Sequence, residues 1–379
     1  MNRIFYLLAC LPMLVVSCQG PPSTDSKQPD LVYSHGELHA YSFKESTLKP
    51  GTVLVKTGSG ETFSGQFTSD GLVLTAAPWD ANWSVEQTTS PTEHGGTGIH
   101  LGMRQADNEW TELSQAERPA DLITPVRPMI YQAEGPMWEN DLIGFRTYWD
   151  QRNGFDIFGK RQAGLVMHSV GVEENYHDLQ DWGMDVLKVG NSLGAGAVAL
   201  KTGNSIYPIG DRMKETFEVL DEGPLMSKLV LTYEDTAGVE PHFSLKREIT
   251  IYAGISGFHN RITVEGVPAG TEVLTGVVNL HADTFHTHQS NDAFAMYTYG
   301  PQAELDMGLG IAVVADSGEV TGFGNIQTFD SEITDTYYLA LGLHADLSTN
   351  FWVMAVWEGG HAPFPSLAEF PESWANLDN

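Results

Sequence analysis

The chain has 379 residues, 49 of them acidic and 20 basic, for a formal net charge of −29. That charge repels phosphate backbones and excludes nucleic acid as a partner. Only two cysteines are present, which excludes a disulfide-built scaffold, whereas 41% hydrophobic residues at this length can supply a sizeable core.

Residues 1–17 read as a bacterial lipoprotein signal peptide. Arg3 gives the positive start, Ile4 to Val16 the apolar stretch, and Val15-Val16-Ser17-Cys18 the small-residue cleavage motif. Cys18 is the expected lipidation site. The apolar stretch is shorter than the roughly 20 residues needed to span a bilayer, and no later segment is long and apolar enough, so the membrane is expected as a partner only through the N-terminal lipid. Residues 18–30 include Pro21, Pro22 and Pro29 among polar residues and read as a flexible linker. Gln19 is not the aspartate associated with inner-membrane retention, so the expected location is the periplasm or the outer membrane. Cys10 leaves with the signal and Cys18 carries lipid, so no disulfide is expected in the body, residues 31–379, which reads as one domain.

From residue 31 onward, short β-like runs are broken by turn residues: Thr52 to Lys56, Gly71 to Thr75, and Trp83 to Gln87. Ser90 to Gly98 and Glu112 to Pro128 read as loops. The runs resume with Lys228 to Tyr233, Phe243 to Tyr252, Asn260 to Val264, Thr271 to Asn279, Ala293 to Tyr299, Gly308 to Ala315, Tyr337 to His344 and Phe351 to Trp357. Only Ala195 to Leu200 and Pro365 to Asn379 suggest short helices. The pattern predicts an all-β protein, a large antiparallel β-sandwich.

Between the two series lies a stretch dense in aromatic and charged residues. In Phe145-Arg146-Thr147-Tyr148-Trp149, strand alternation puts Arg146 and Tyr148 on one face and Phe145, Thr147 and Trp149 on the other. Arg152 and Asp156 follow as a candidate ion pair. Tyr176-His177-Asp178-Leu179-Gln180-Asp181-Trp182-Gly183-Met184-Asp185 adds a second cluster. Trp182 suits stacking on a sugar ring or burial in a core. Asp178 and Asp185 suit sugar hydroxyls or orientation of His177. Lys188 sits in an alternating run, facing either inward or solvent. Gly190-Asn191-Ser192-Leu193-Gly194 matches the nucleophile-elbow spacing, but Ser192 would need an α/β sheet around it, so a glycine turn is preferred. His281, His286 and His288 are ligand types; no metal or other cofactor is expected, with a divalent cation the lesser reading. His281 is the member expected to reach a sugar, and Trp357 with His361 to close the pocket or pack the last turn.

The segments from Trp138 to Lys160 and from Tyr176 to Gly196, together with Phe351 to Gly360, closely resemble the bacterial domain-of-unknown-function family 4861. The resemblance implies a sandwich similar to galactose mutarotase and a role in carbohydrate use, because one member is understood to be an oligosaccharide dehydratase of ulvan breakdown. It therefore implies an acidic oligosaccharide substrate and a lyase reaction: β-elimination of water from a non-reducing-end uronic acid, giving a 4,5-unsaturated end. Removing the C5 proton beside a carboxylate needs charge neutralisation first, which the guanidinium groups of Arg146 and Arg152 can supply. His177 is the preferred base and Tyr148 the preferred acid, with the reverse assignment open. Two other readings stand. One is a glycoside hydrolase using Asp150 and Asp185, which would lie about 5 Å apart if retaining and about 6.5–9.5 Å if inverting. The other is a non-catalytic glycan-binding surface lipoprotein.

Overall fold

The computed structural model describes residues 31–35, 37–42, 47–78, 82–89, 96–118, 129–172, 175–210, 213–235, 242–290, 292–375 and 377. Residues 1–30, where the signal peptide, the lipidation site Cys18 and the linker are expected, lie outside them. Among the described residues there is no α-helix, only strands and four short 3-10 turns. The protein is an all-β antiparallel sandwich.

Its centre is a nine-stranded sheet running from Gln115–Arg118 through Met213–Asp221, Met226–Asp235, Ser244–Tyr252, Gly257–Glu265, Ser348–Trp357, Leu309–Asp316 and Ala293–Gly300 to His286–Gln289. Long strands with alternating burial make it. In Ser244–Tyr252, Leu245, Arg247 and Ile249 point inward while Lys246 and Glu248 point out. Two five-stranded sheets close over its inner face. One is built on Ala195–Thr202 and Thr271–Val278, the other on Met137–Asn140, Ile143–Thr147, Phe155–Lys160 and Gly183–Asp185. Between them lies one continuous core to which Phe145, Phe155, Ile157, Val198, Leu274, Leu231, Phe258, Ile311 and Val353 all contribute. A six-stranded sheet made from residues 31–87 covers part of the outer face. Leu38, Ala40 and Leu74 pack there against Met226, Tyr252 and Trp352.

Three readings of local structure are corrected. Ala195 to Leu200 is not helical: Ala195–Thr202 is a strand hydrogen-bonded on both sides. A run buried on both faces loses the two-residue alternation that marks a strand, and Gly196, at φ 86°, passes so close to Val353 that a Cβ would not fit. Within Glu112 to Pro128, Gln115–Arg118 is an edge strand paired with Met213–Asp221. Its Arg118 is held by Glu215, contributed by a distant segment. Near the C-terminus the expected helix is only the 3-10 turn Phe370–Trp374.

The strand that closes the site sheet depends on Gly183. At φ 142° it runs so tightly beside Gly159 that a Cβ would overlap the Gly159 carbonyl oxygen. Gly183→Ala is therefore expected to cost about 2 kcal/mol or more, from backbone strain and overpacking together. Urea unfolding of the variant checks this; an unchanged midpoint would mean the strand tolerates displacement.

Candidate active site

The hairpin of Ile143–Thr147 and Phe155–Lys160 places Arg146 directly opposite Asp156. Phe145 and Ile157 turn into the core, so Arg146 and Asp156 share the opposite face. Gly183–Asp185 pairs with the next strand and brings Asp185 opposite Phe158 on that side. Three neighbouring strands thus assemble the cluster.

Arg146 is fully buried. Its Nη1 donates to the Ala133 carbonyl at 2.8 Å and to the Tyr176 hydroxyl at 3.2 Å. Its Nη2 donates to Asp156 Oδ2 and lies 3.4 Å from Asp185 Oδ2. The guanidinium stands 4.1 Å from the Tyr148 ring centre, 5.3 Å from Phe158 and 5.5 Å from Tyr176. A guanidinium has five N–H donors. Four meet protein acceptors and the fifth, on Nε, is buried. The expectation that Arg146 clamps a substrate carboxylate is corrected accordingly: it has no free edge, and it acts by holding Asp156 and Asp185.

Tyr148 donates to Asp156 Oδ2 at 3.1 Å. Its ring lies between two guanidinium groups, with Arg152 Cζ 4.0 Å from its centre on the other side. Burial raises the phenol well above its usual range, against the pull of Arg146, so it stays protonated. Asp156 is pushed up to about 7 by burial first and by the Asp185 carboxylate second, opposed by Arg146.

Asp185 reaches the surface through His177, whose Nδ1 is 3.2 Å from Asp185 Oδ2. The imidazole is 58% exposed and rests on the Tyr176 ring, centroids 4.5 Å apart. The Asp185 hydrogen bond raises its pKa above the ordinary 6.5. Tyr148 and His177 are therefore the two ends of one chain of contacts, Tyr148–Asp156–Arg146–Asp185–His177.

Arg152 belongs to the same cluster, although its carboxylate partner is Asp150 and not Asp156. Nε lies 3.1 Å from both Asp150 oxygens and Nη2 2.5 Å from Oδ2. The side chain is 28% exposed, and its Nη1 has no protein acceptor among the described residues. Asp150 itself is fully buried. A pocket of about 340 Å³ has Tyr176, Trp182 and His168 in its wall, but not His177, Tyr148 or Arg152. Trp182 is half-buried and packs on Phe158 at 6.2 Å.

Other candidates stand elsewhere. Asp178 is exposed and accepts from Asn175 at 3.0 Å. Lys188 is exposed between buried Leu187 and Val189, the outward residue of its run. Trp357 is corrected from a sugar contact to a core residue: it is buried, packed against Gly159, and ends a central strand. His361 Nε2 meets the Asp141 carbonyl at 2.8 Å. Ser192 is buried, donates to the Val189 carbonyl at 2.6 Å and accepts from Gly194 N at 2.9 Å, closing a turn. His281 and His288 are exposed, and His286 stacks on Tyr297. Among the described residues no three side chains of metal-ligating type converge.

Asp156 was expected to pair with Arg152 and Tyr176 stood only at the head of the second cluster, so their contacts with Arg146 were not foreseen, and the turn at Ala133 and Glu134 was not singled out at all. A signal for Asp156 existed, since the turn formers Asp150, Asn153 and Gly154 imply a hairpin that sets it opposite Arg146. None existed for Ala133, whose φ of 46° aims its carbonyl at the guanidinium.

A family model described as "Domain of unknown function (DUF4861)" matches residues 76–376, which contain the whole cluster. The chain is also similar to Uncharacterized protein P7 of Formosa agariphila, 26% identical over 203 residues, 48% of this chain and 50% of that protein. The match thus spans half the length of that relative.

Two consequences follow for stability. Arg146→Met leaves two buried carboxylates without their cation and is expected to cost about 3–5 kcal/mol, measurable by urea unfolding. Asp156, at about 7 folded against an ordinary 3.8, holds a proton in the folded state that the unfolded chain has released. Its contribution to stability is complete below about pH 4 and is lost as pH rises through 7. Asp156→Asn, which cannot ionise, should flatten that part of the stability profile; an unchanged slope between pH 4 and 8 would assign it to other groups.

Proposed function

The chain belongs to the DUF4861 family, and we propose that it is a carbohydrate-active dehydratase acting on the non-reducing-end uronic acid of acidic oligosaccharides. The observation that carries this reading is the contact chain joining an exposed imidazole to a protonated phenol. Elimination needs such a pair, one group to take a proton and one to give it. Asp185 accepts from His177 Nδ1–H, which fixes the tautomer and leaves Nε2 as a lone-pair base. In this reading Nε2 takes the C5 proton, the C4–O bond breaks as the C4–C5 double bond forms, and Tyr148 protonates the departing hydroxyl. Water leaves, and the proton held by His177 returns to the phenolate through the carboxylates or solvent. Arg152, whose Nη1 has no protein acceptor among the described residues, supplies the charge that neutralises the uronate. Trp182 and Tyr176 wall the space for the next sugar.

The same family membership is compatible with hydrolysis or with binding alone, and the products separate the three. Incubation with uronate-ended oligosaccharides should yield a conjugated, ultraviolet-absorbing product lighter than the substrate by one water. Cleavage products without that absorbance would mean hydrolysis, and retained affinity without product would mean a binding protein. His177→Ala should lower the rate about 100-fold or more. Because the base must be neutral and Asp185 raises its pKa, the acidic limb of the pH–rate profile should lie above 6.5 and move to lower pH in Asp185→Asn. A limb that stays in place would remove His177 from the role of base.

A further inference from the structure

The outer face of the nine-stranded sheet carries a polar row that a sandwich would ordinarily leave to solvent. Lys228 is directly opposite Thr250, Thr250 opposite His259, and His259 opposite Trp352, across four adjacent strands. Glu248 and Arg261 form the neighbouring cross-strand pair. Here the six-stranded N-terminal sheet lies above them, and the two sheets enclose a pocket of about 320 Å³, whose roof includes His35, Thr68 and Asp70. That is the lower end of the size range of small-molecule sites.

We propose that this seam is a binding site for a single anionic sugar unit, one carrying a carboxylate or sulfate group, separate from the His177 cluster.

Three observations support it. First, the pocket is held open by rigid joints. Gln66 bonds the Met226 carbonyl at 2.8 Å and the Leu225 and Met226 amides at 3.0 and 2.9 Å, while Ser69 is held by Asp221 at 2.8 and 2.6 Å. Second, His259 lines the space without a hydrogen-bond partner among the described residues, packed 5.1 Å from Trp352. Burial, then the positive charges of His35, Arg261 and Lys228, push its imidazole down to about 3, so it is neutral, with one N–H to give. His259 is half-buried and lines the space, so its ring N–H is available to a ligand oxygen. Third, the lining mixes donors with acceptors. Lys228 pairs with Asp70 at 2.6 Å, and Arg261 lies 3.9 Å from Glu248 and 3.1 Å from Asp346. A bare anion gains nothing from Asp70 and Glu248, but the hydroxyls of a sugar do, while its acid group meets Lys228, Arg261 and His259. The roof residues precede residue 76, where the family match begins, so this site is built partly from chain outside the shared domain.

The proposal does not rest on the elimination reading, and its test reads His259 and not activity. The full protein, with its histidines isotopically labelled, is titrated with sodium glucuronate, glucose 6-sulfate and sodium sulfate. The His259 ring resonance is assigned by its loss in His259→Leu. Both sugar acids are expected to shift it saturably, and Lys228→Met to weaken that binding about tenfold or more. His177→Ala should leave the shift intact. No shift in the wild-type protein, an equal shift in Lys228→Met, or a shift lost with His177 would overturn the proposal. Inorganic sulfate binding as tightly as the sugars would overturn its assignment to a sugar.

Discussion

A guanidinium that cannot reach water governs the organisation of this site. Removing a charge from water costs several kcal/mol even after the protein relaxes around it, so the fold brings acceptors to four of the five N–H groups that Arg146 presents, all those on Nη1 and Nη2. Two come as carboxylates from adjacent strands, one as the Ala133 carbonyl and one as the Tyr176 hydroxyl. Such an arrangement fixes more than one side chain. A slip of one residue in any of the three strands would turn its carboxylate or cation into the core, so the cluster and the hydrophobic packing specify the same register.

The exposed chemistry inherits this rigidity. His177 lies in a surface loop and by itself would sample many positions. It is held because Asp185 is held, and Asp185 is held by Arg146. The left-handed backbone at Ala133 and Glu134 fits the same account. Such conformations cost of order 1–3 kcal/mol each in residues other than glycine, and this turn is kept by the Ala133 carbonyl on Arg146 and the Glu134 carbonyl, which accepts from Trp149 N at 2.9 Å. Strain on one side of the cluster and burial on the other are both offset by the same cation.

Much of this was legible in the sequence, for identifiable reasons. Two-residue alternation put Arg146 and Tyr148 on one face, and density of polar and aromatic types drew attention to His177, Trp182 and Asp185. Those signals are local. What they could not reveal was occupancy: Arg146 looks free in the sequence, because Ala133, Tyr176 and Asp185 reach it from segments that only the folded sheet brings near. Trp357 and Ala195–Thr202 failed for the opposite reason. Trp357 and the misread residues Ala195 to Leu200 are buried, and a residue without a solvent face leaves no periodic trace to read. Lys188 sits at an alternating position, where the sequence offered two faces and only the fold chose between them. The seam above His259 was invisible because it is made by a sheet docking on a face that would otherwise be an ordinary solvated one.

The acidic substrate proposed for a protein of this charge requires long-range and short-range electrostatics to be separated. Its net −29 acts at a distance, but salt screens exposed charges beyond about 8 Å at physiological ionic strength and beyond about 3 Å at 1 M. Inside that radius what counts is which cations still have a free edge. Arg146 spends its Nη donors internally and so contributes geometry, whereas among the described residues Arg152 is clasped by Asp150 through Nε and Nη2, with Nη1 outside that clasp. The same division recurs at the seam, where Lys228 and Arg261 each keep a carboxylate partner yet stay partly exposed. In each case the partner carboxylate orients the cation and leaves part of its N–H set facing outward.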